Sequence, residues 1–481
     1  MLRMRTIRLA LLVFGVTICA AAQNSPQSQP PTTPAPAFGQ NAPVLNPENP
    51  PVSGLDEPGL DLHTASRSFF SPALQVSESG DSNGGNQFGN TGAESITRVL
   101  GAFDLQQFWP KSDLFLEYLG GGAFYGNPFE VQQLQDAGFE AVTRWRTGRA
   151  TLRDAFNYLP DGSFQIGAFG GIPGFGLATG SFNTGAQGGG LPGTNSFSSG
   201  QFGSVGNIPR LANMAILDIV QAINPVSAIT LAGGFSDAHF YDSGCSNALG
   251  TCLVNSDQLT VEGGYSHLIS HHDQIGVVYA FQLFQFPESA GGQIYNDILN
   301  VRWSHTISGK LSLIVGVGPQ YTELEHGNPT PITHWSASGR VQLRYKMGHA
   351  SIVATYEKYT SAGSGFFAGA DTQAARLGYR RPLGRTWDFY GDLGYSNNKR
   401  LQTLASPGAL GVNAVSYNEG SAGAVFRKHF GRTYDFFAAY RYMEVAFPVS
   451  TCSPGGGCGT TITRSIGSVG VEWHPTPTRI E

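Results

Sequence analysis

The chain has little charge, few cysteines and no long apolar run beyond its N-terminus, and these shortages exclude several classes of protein. Charged residues make up 13% of the 481 positions and the formal net charge is −5. No basic patch stands out, so the sequence gives no support for nucleic-acid binding. Beyond the first residues no stretch of about 18–20 consecutive apolar residues occurs, which excludes a transmembrane helix.

Enzyme motifs are also missing. We found no nucleophile elbow, no phosphate-binding glycine loop and no zincin helix. The sequence therefore predicts a protein that is not an enzyme and that has no cofactor and no resident metal. His267, His271, His272 and Asp273 have metal-ligand chemistry, but they fall on a predicted tight turn, where such residues are common. A solvated turn is the favoured interpretation, with a metal site as the alternative.

Five cysteines are present. Cys19 falls within the apolar N-terminal segment, and the other four form two close pairs, Cys245 with Cys252 and Cys452 with Cys458. Each pair lies in a Gly/Ser-rich stretch between strand candidates, which predicts two small disulfide-closed loops in an oxidising compartment. A four-thiol metal site is the alternative, and the wide spacing within and between the pairs disfavours it.

The N-terminus has the pattern of an export signal. Three arginines at positions 3, 5 and 8 precede the apolar run Leu9–Ile18, and Ala20–Ala22 offers a small-residue cleavage site. We predict a signal peptide at residues 1–22. Residues 23–67 are rich in Pro, Gln, Asn and Thr and cannot bury enough apolar surface to fold, which predicts a disordered periplasmic segment. Docking of a periplasmic partner by this segment is the alternative.

What the sequence does contain is alternation, clearest in Thr333–Tyr359. One face of its first arm is apolar and the other is charged, and a turn at Met347-Gly348-His349 leads into a second arm. Successive side chains of a strand point to opposite faces, so this is a β-hairpin with one apolar side. Trp335 and Tyr345 lie near the ends of the apolar face, about 33 Å apart in an extended chain. Tilted strands with that spacing match the apolar band of an outer-membrane barrel.

The same hairpin pattern recurs through Ser68–His474 and gives eighteen strand candidates joined alternately by short turns and longer loops. The predicted fold is all-β: a transmembrane antiparallel up-and-down β-barrel of about 18 strands, with short periplasmic turns and longer external loops. Residues 68–474 form the barrel and residues 475–481 a periplasmic C-terminal tail. One strand is irregular because Asp154 shares the parity of apolar residues, which predicts a bulge or a shifted register.

Alternating strands, the turn and loop asymmetry, the export signal and the late aromatic Trp473 together resemble the outer-membrane β-barrel porin class of Gram-negative bacteria. The resemblance is one of pattern and not of a residue motif. It departs from the class at the end, where His474–Glu481 follow the last aromatic. It implies a multi-pass barrel in the outer membrane with both termini periplasmic, and partnership with outer-membrane lipid and the barrel-assembly machinery. A homo-oligomer stays open.

The leading function is passive diffusion of small hydrophilic solutes or ions through an outer-membrane pore. An export barrel for polysaccharide or peptide working with periplasmic partners, and a structural or adhesive surface barrel with a blocked lumen, are the alternatives. The loop Pro160–Pro209 either folds inward to narrow the pore or forms an external cap.

Parity places many charged residues on the predicted inner face, where they line a wet lumen or merely neutralise one another. The predicted lumen-lining residues are Arg144, Arg146, Arg153, Glu262, Arg302, Arg340, Arg344, Lys346, Glu357, Arg376, Arg380, Asp388, Asp392, Glu419, Arg427 and Arg441.

Overall fold

The structure is a computed structural model, and it describes thirteen longer segments of the chain and a few residues near its end. These are residues 68–83, 93–126, 129–159, 209–241, 254–270, 272–287, 292–325, 332–348, 350–361, 367–401, 416–431, 433–452, 458–473, 475 and 478–479. The predicted signal peptide, the Pro-rich segment and the loop Pro160–Pro209 apart from Pro209 lie outside the described residues.

The described chain is built of β-strands. In chain order they are β1 (Phe69–Asp81), β2 (Glu94–Phe108), β3 (Ser112–Gly126), β4 (Phe129–Trp145), β5 (Gly148–Leu159), β6 (Arg210–Asn224), β7 (Ser227–Phe240), β8 (Ser256–Leu268), β9 (Asp273–Gln285), β10 (Gln293–Ser308), β11 (Leu311–Glu325), β12 (Ile332–Met347), β13 (Ala350–Ser361), β14 (Ala370–Pro382), β15 (Trp387–Arg400), β16 (Ser416–Phe430), β17 (Tyr434–Cys452), β18 (Cys458–Trp473) and β19 (Thr478–Arg479).

From β1 to β18 each strand pairs antiparallel with the next along the chain, and β18 returns to pair with β1, which closes a barrel of 18 strands. Closure satisfies the backbone hydrogen-bonding groups that an open sheet would leave at its edges. This confirms the predicted antiparallel up-and-down barrel. No helix long and apolar enough to cross a membrane occurs in the part of the chain that the structure describes.

Alternation sets the two faces of the wall. On β9 the even-numbered residues are buried, whereas Ile275, Val277 and Tyr279 on the other face are exposed. Leu231 and Phe235 on β7 and Val469 and Val471 on β18 are exposed in the same way. Exposed apolar side chains on the outside, with buried polar residues such as Gln274 and Gln282 within, are unlike the pattern of a soluble protein and fit a barrel whose outer surface meets lipid.

Aromatic pairs reinforce the outer face at both ends of the strands. Tyr321 on β11 and Trp335 on β12 lie 5.0 Å apart between ring centroids near the loop end. Near the turn end, Phe389 on β15 lies 4.8 Å from Phe426 on β16. Cross-strand aromatic pairs stabilise a sheet, and aromatic rings at two levels mark the edges of an apolar band.

Short connections join the strands at one end of the barrel. The turn predicted at Met347-Gly348-His349 is confirmed by the ends of β12 and β13, and Gly348 has the positive φ of 57° that a tight turn favours. The expected alternation of short turns with longer loops has one exception. β3 and β4 are separated only by Asn127 and Pro128 at the loop end, because both strands extend further than the sequence suggested.

The expectation of a bulge or shifted register at Asp154 is wrong. β5 pairs regularly with both neighbours, and Asp154 lies opposite Phe139 on β4 and Ala215 on β6. It shares the outer face with Leu152, which is exposed. The strand keeps its register because a one-residue slip would move all of its side chains to the wrong face.

The segment after Trp473, predicted as a tail, contributes a short strand. Thr478 and Arg479 of β19 pair with Phe70 and Phe69 of β1, below the pairing of Leu74 with Trp473. Between the pair Phe70–Thr478 and the pair Leu74–Trp473 the C-terminal segment contains one residue more than β1. The register between the first and last parts of the chain therefore shifts by one residue there. Pro72 on β1 falls in the interval, where its missing N–H removes no ladder bond to β18.

Candidate channel wall and external mouth

The inner face carries most of the residues that the sequence assigned to a lumen. Burial alternation puts them on the same strand face as buried neighbours such as Ser338 and Gln342 on β12. Arg146 is different, because it lies in the turn after β4 and is exposed. Arg380 occupies an inner register position on β14, and its side chain lies outside the described set. The role of these residues in lining a channel stays a prediction.

A buried triad crosses three strands on one side of the barrel. Arg153 on β5 lies 3.1 Å from Glu140 on β4, through Nε, and 2.5 Å from Asp218 on β6, through Nη1. All three side chains are almost fully buried. The guanidinium of Arg153 bridges the two carboxylates, and charge-assisted hydrogen bonds tie the three strands together.

The inner wall from β10 to β14 is richer in positive charge. Arg340 on β12 lies 3.1 Å from Glu357 on β13. The described inner side chains of these five strands include only Glu357 as an acid, and their cations are Arg302, Arg340, Arg344, Lys346 and Arg376. This side of the wall is therefore net cationic.

A glycine lets one ion pair form across an intervening strand. Asp392 on β15 and Arg441 on β17 are separated by Gly423 on β16, and their charged atoms lie 3.8 Å apart. A Cβ at position 423 would lie 2.2 Å from Oδ1 of Asp392. Any larger residue there would displace the carboxylate, so Gly423 is required by this contact.

A second charged cluster lies at the turn end of the inner wall. His429 on β16 contacts Asp388 through Nε2 at 2.9 Å and Asp435 through Nδ1 at 2.7 Å. Arg427 lies 3.3 Å from Asp435 and 3.6 Å from Glu472. Four adjacent strands, β15 to β18, are joined here by side chains that point inward.

Nearer the loop end, β9 to β11 and β14 to β15 are joined on the inner face by uncharged polar side chains. Asn296 on β10 donates to Gln282 on β9 at 2.7 Å and accepts from Thr322 on β11 at 3.0 Å. On the other side Thr372 on β14 donates to Asn398 on β15 at 2.9 Å. Amide and hydroxyl groups thus bond to one another on these strands, where they also suit contact with hydrophilic solutes.

In the half of β12 nearer the loop end, the pairing with β13 is lost while the pairing with β11 continues. β12 pairs with β11 as far as Ile332, but its pairing with β13 starts only at Gly339. Beyond that point Gln320 on the inner face of β11 donates directly to Thr360 on β13. Tyr359, Thr360 and Ser361 are all buried although consecutive strand residues face opposite sides. The loop end of β13 therefore lies on the inner side of β11, toward the barrel interior. Trp335 on β12 remains 68% exposed.

This inward position carries the segment Phe367–Gly369 into the mouth at the loop end. The ring of Phe367 lies 5.5 Å from that of Tyr417 on β16 and 5.8 Å from the guanidinium carbon of Arg400 on β15. Its neighbour Ala368 is buried in an apolar cluster with inner-face and loop residues from other strands, Val254, Phe284, Phe286, Ile294 and Leu324, and with Leu401 packed against it.

Gly369 makes the crossing feasible. Its φ is 86°, in the region that favours glycine, and its carbonyl continues the ladder through a 3.2 Å hydrogen bond from Leu401 N to Gly369 O. A Cβ here would lie 2.2 Å from Cδ1 of Ile294 on β10. We call Phe367–Gly369 with its contacts Ile294, Arg400 and Tyr417 the mouth constriction.

Sequence reasoning missed the mouth constriction. It offered Pro160–Pro209 either as a loop that narrows the pore or as an external cap, and this loop lies outside the described residues except for Pro209. The available signal was the pair Phe366-Phe367 within the small-residue stretch Ser361–Gly369, together with inner-parity aromatics such as Tyr417. Alternation does not reveal that a connection folds back into the barrel.

The other candidate sites are resolved in part. Among the residues that the structure describes, no group of three or more His, Cys, Asp or Glu side chains is arranged to hold a metal. His271 lies outside the described residues. Asp273 instead accepts from Ser270 at 2.8 Å and contacts His305 Nδ1 at 2.7 Å. Cys245 and Cys252 lie outside the described segments, while Cys452 and Cys458 are cross-strand partners in the register of β17 and β18.

No protein-family model matches the chain, and no curated protein matches it either. Solved barrels resemble its fold at low identity. OpdQ of Pseudomonas aeruginosa is 11% identical with a TM-score of 0.40, covering 85% of this chain and 99% of that one. OccK2 (OpdF) of the same organism, in complex with glucuronate, is 10% identical with a TM-score of 0.41, covering 86% and 98%. The FrpB iron transporter from Neisseria meningitidis is 8% identical with a TM-score of 0.42, covering 86% and 84%.

Proposed function

We propose that the protein is an outer-membrane channel for the passive diffusion of small hydrophilic solutes or ions. The observation that carries this proposal is the contrast between the two faces of one closed wall. The outer face presents apolar and aromatic side chains, and the inner face presents ion pairs, amides and hydroxyls among buried apolar residues such as Leu100 and Ile466. An 18-stranded barrel is wide enough for an aqueous passage unless something fills it.

The mouth constriction sets the expected size limit. Phe367 and Ala368 reach across inner-face residues of strands that are not neighbours, which reduces the opening at the loop end. Solutes that pass would meet the ring of Phe367 and the guanidinium of Arg400 before the charged wall below. The net cationic side from β10 to β14 would then favour anions over cations of the same size.

Purified protein in planar lipid bilayers tests the proposal. We expect stepwise conductance from the unaltered protein and a larger unit conductance from Phe367→Ala, which shortens the side chain at the mouth. Phe235→Ala is the matched control, because Phe235 lies on the outer face of β7 and is exposed there. Its conductance should equal that of the unaltered protein.

The second candidate is a structural barrel with a blocked lumen, which the same crossing of the mouth favours. Bilayers that stay sealed at all voltages with both the unaltered protein and Phe367→Ala would support that candidate and contradict the channel. Conductance that is unchanged by Phe367→Ala would keep the channel and remove the mouth constriction as its limiting point.

A further inference from the structure

A groove lies on the outer face at the turn end of β15 to β18. Trp387, Lys428, Phe436 and Val471 form a row across these four adjacent strands, because each is the register partner of the next. Phe430 and Tyr434, also partners, lie beside the row toward the turn. Together they line a cavity of about 510 Å³ that is open to the outside of the barrel.

Lys428 is the polar group of this groove. Its Nζ lies 5.1 Å from the ring centroid of Trp387 and 4.7 Å from that of Phe430, within the range of cation–π contacts. It forms no ion pair with a carboxylate among the residues that the structure describes. Asp435, which also lines the cavity, directs its carboxylate inward to Arg427 and His429.

Another outward-facing lysine shows the usual alternative. Lys358 on β13 lies 3.6 Å from Asp371 on β14, so its charge is balanced within the wall. Lys428 instead is held by two aromatic rings at the level of the turn-end aromatic residues. That level is where the headgroups of the surrounding lipid lie when the apolar band spans the membrane.

We propose that the Lys428 groove binds one anionic phospholipid of the membrane leaflet on the turn side. The phosphate lies against the ammonium group of Lys428, and the first part of an acyl chain lies along Trp387, Phe436 and Val471. Charge complementarity selects the headgroup, since the groove offers one cation and no described carboxylate facing outward. The cavity volume falls within the common range of small-molecule sites, about 300–1,000 Å³. The proposal does not depend on whether the barrel conducts.

Native mass spectrometry of the detergent-purified barrel, with equal added amounts of phosphatidylglycerol or phosphatidylcholine, tests it. We expect one tightly retained phosphatidylglycerol and weaker retention of phosphatidylcholine. Lys428→Gln should bind phosphatidylglycerol about five-fold more weakly, the effect expected for one cation at a membrane surface. Lys358→Gln, the matched control, should bind it as the unaltered protein does. Heat-modifiable migration on a gel confirms that each variant is folded.

Trp387→Ala tests the apolar contribution of the groove to lipid binding separately from the charge of Lys428. It should lower the retention of both lipids, because it removes apolar surface and one ring beside Lys428. Equal retention of the two lipids by the unaltered protein, or equal losses in Lys428→Gln and Lys358→Gln, would overturn the proposal. Displacement of the lipid by inorganic phosphate at the same concentration would also overturn it, since the site would then select a free anion.

Discussion

The guanidinium of Arg464 on β18 holds the carboxylate of Asp81 on β1, with Nε 3.1 Å from Oδ1 and 2.9 Å from Oδ2. Both side chains are buried, at 1% and 0% exposure. The same seam has a 2.8 Å hydrogen bond between the hydroxyls of Ser79 and Ser468. These contacts join the first and last strands of the barrel inside its wall, where solvent screens the charges poorly.

We predict that Arg464→Gln destabilises the barrel strongly, because it leaves the Asp81 carboxylate buried without its counter-charge. Breaking a buried pair in this way costs about 3–5 kcal/mol. The loss of stability is measured as a shift in the midpoint of urea unfolding, with heat-modifiable migration on a gel used to detect the folded fraction. The double variant Arg464→Gln with Asp81→Asn removes both charges and should recover most of the stability. A single variant as stable as the unaltered protein would contradict a structural role for the pair.

Asp154 gives a prediction of opposite sign. It lies on the outer face about midway along β5, and it has no hydrogen-bond or ion-pair partner among the described residues. A carboxylate facing lipid at this depth is unfavourable, so Asp154→Leu should stabilise the barrel in lipid by about 1–3 kcal/mol. Urea unfolding in liposomes checks this. Lower stability, or a smaller particle in size-exclusion chromatography, would mean that another chain contacts Asp154.

The mouth constriction predicts a selective effect of Gly369→Ala. A Cβ at this position adds the 2.2 Å contact with Ile294 to the strain of the positive φ. We expect a changed unit conductance with the barrel still assembled. Gly384→Ala is the matched control, since Gly384 has a φ of 92° in a turn where an added Cβ would have no atom within 4 Å. It should carry the strain, about 1–2 kcal/mol, without altering conductance.

The register of β17 and β18 sharpens the cysteine prediction. Directly opposed residues of antiparallel strands have Cα atoms about 4.5–5.5 Å apart, within the range that a disulfide spans. Cys452 and Cys458 should therefore resist alkylation in the folded protein until a reductant is added. Peptide mapping after non-reducing digestion would identify the linked pair. Free thiols at both positions in exported protein would contradict the assignment.

Much of the wall could be predicted from the sequence because alternation is a local property. The hairpin at β12 and β13 was recognised from its two faces, and the register of β9 and β10 follows the same rule. Asp154 was misjudged because a rule against acids in lipid was given more weight than the register that its neighbours enforce. The short strand β19 was missed because Thr478 and Arg479 carry no alternating pattern.

The site was less predictable for a different reason. Parity put Arg340 and Glu357 on the inner face, but it could not show that Arg441 reaches Asp392 over Gly423. The mouth constriction depends on where pairing stops between β12 and β13, which is a property of the closed barrel. Phe367 and Tyr417 are far apart in the sequence, so a local pattern could not show that their rings are in contact.

The division of the sheet above Gly339 has a mechanical consequence. The segment Phe367–Gly369 is held by the hydrogen-bond ladder that continues from β14 to β15 and by the close packing of Ile294 against Gly369. A barrier anchored in this way moves with the wall and not as a swinging lid. Open-channel current should then be quiet and nearly ohmic as far as the described residues of the mouth constriction are concerned, because voltage cannot displace a segment that the wall holds in this way.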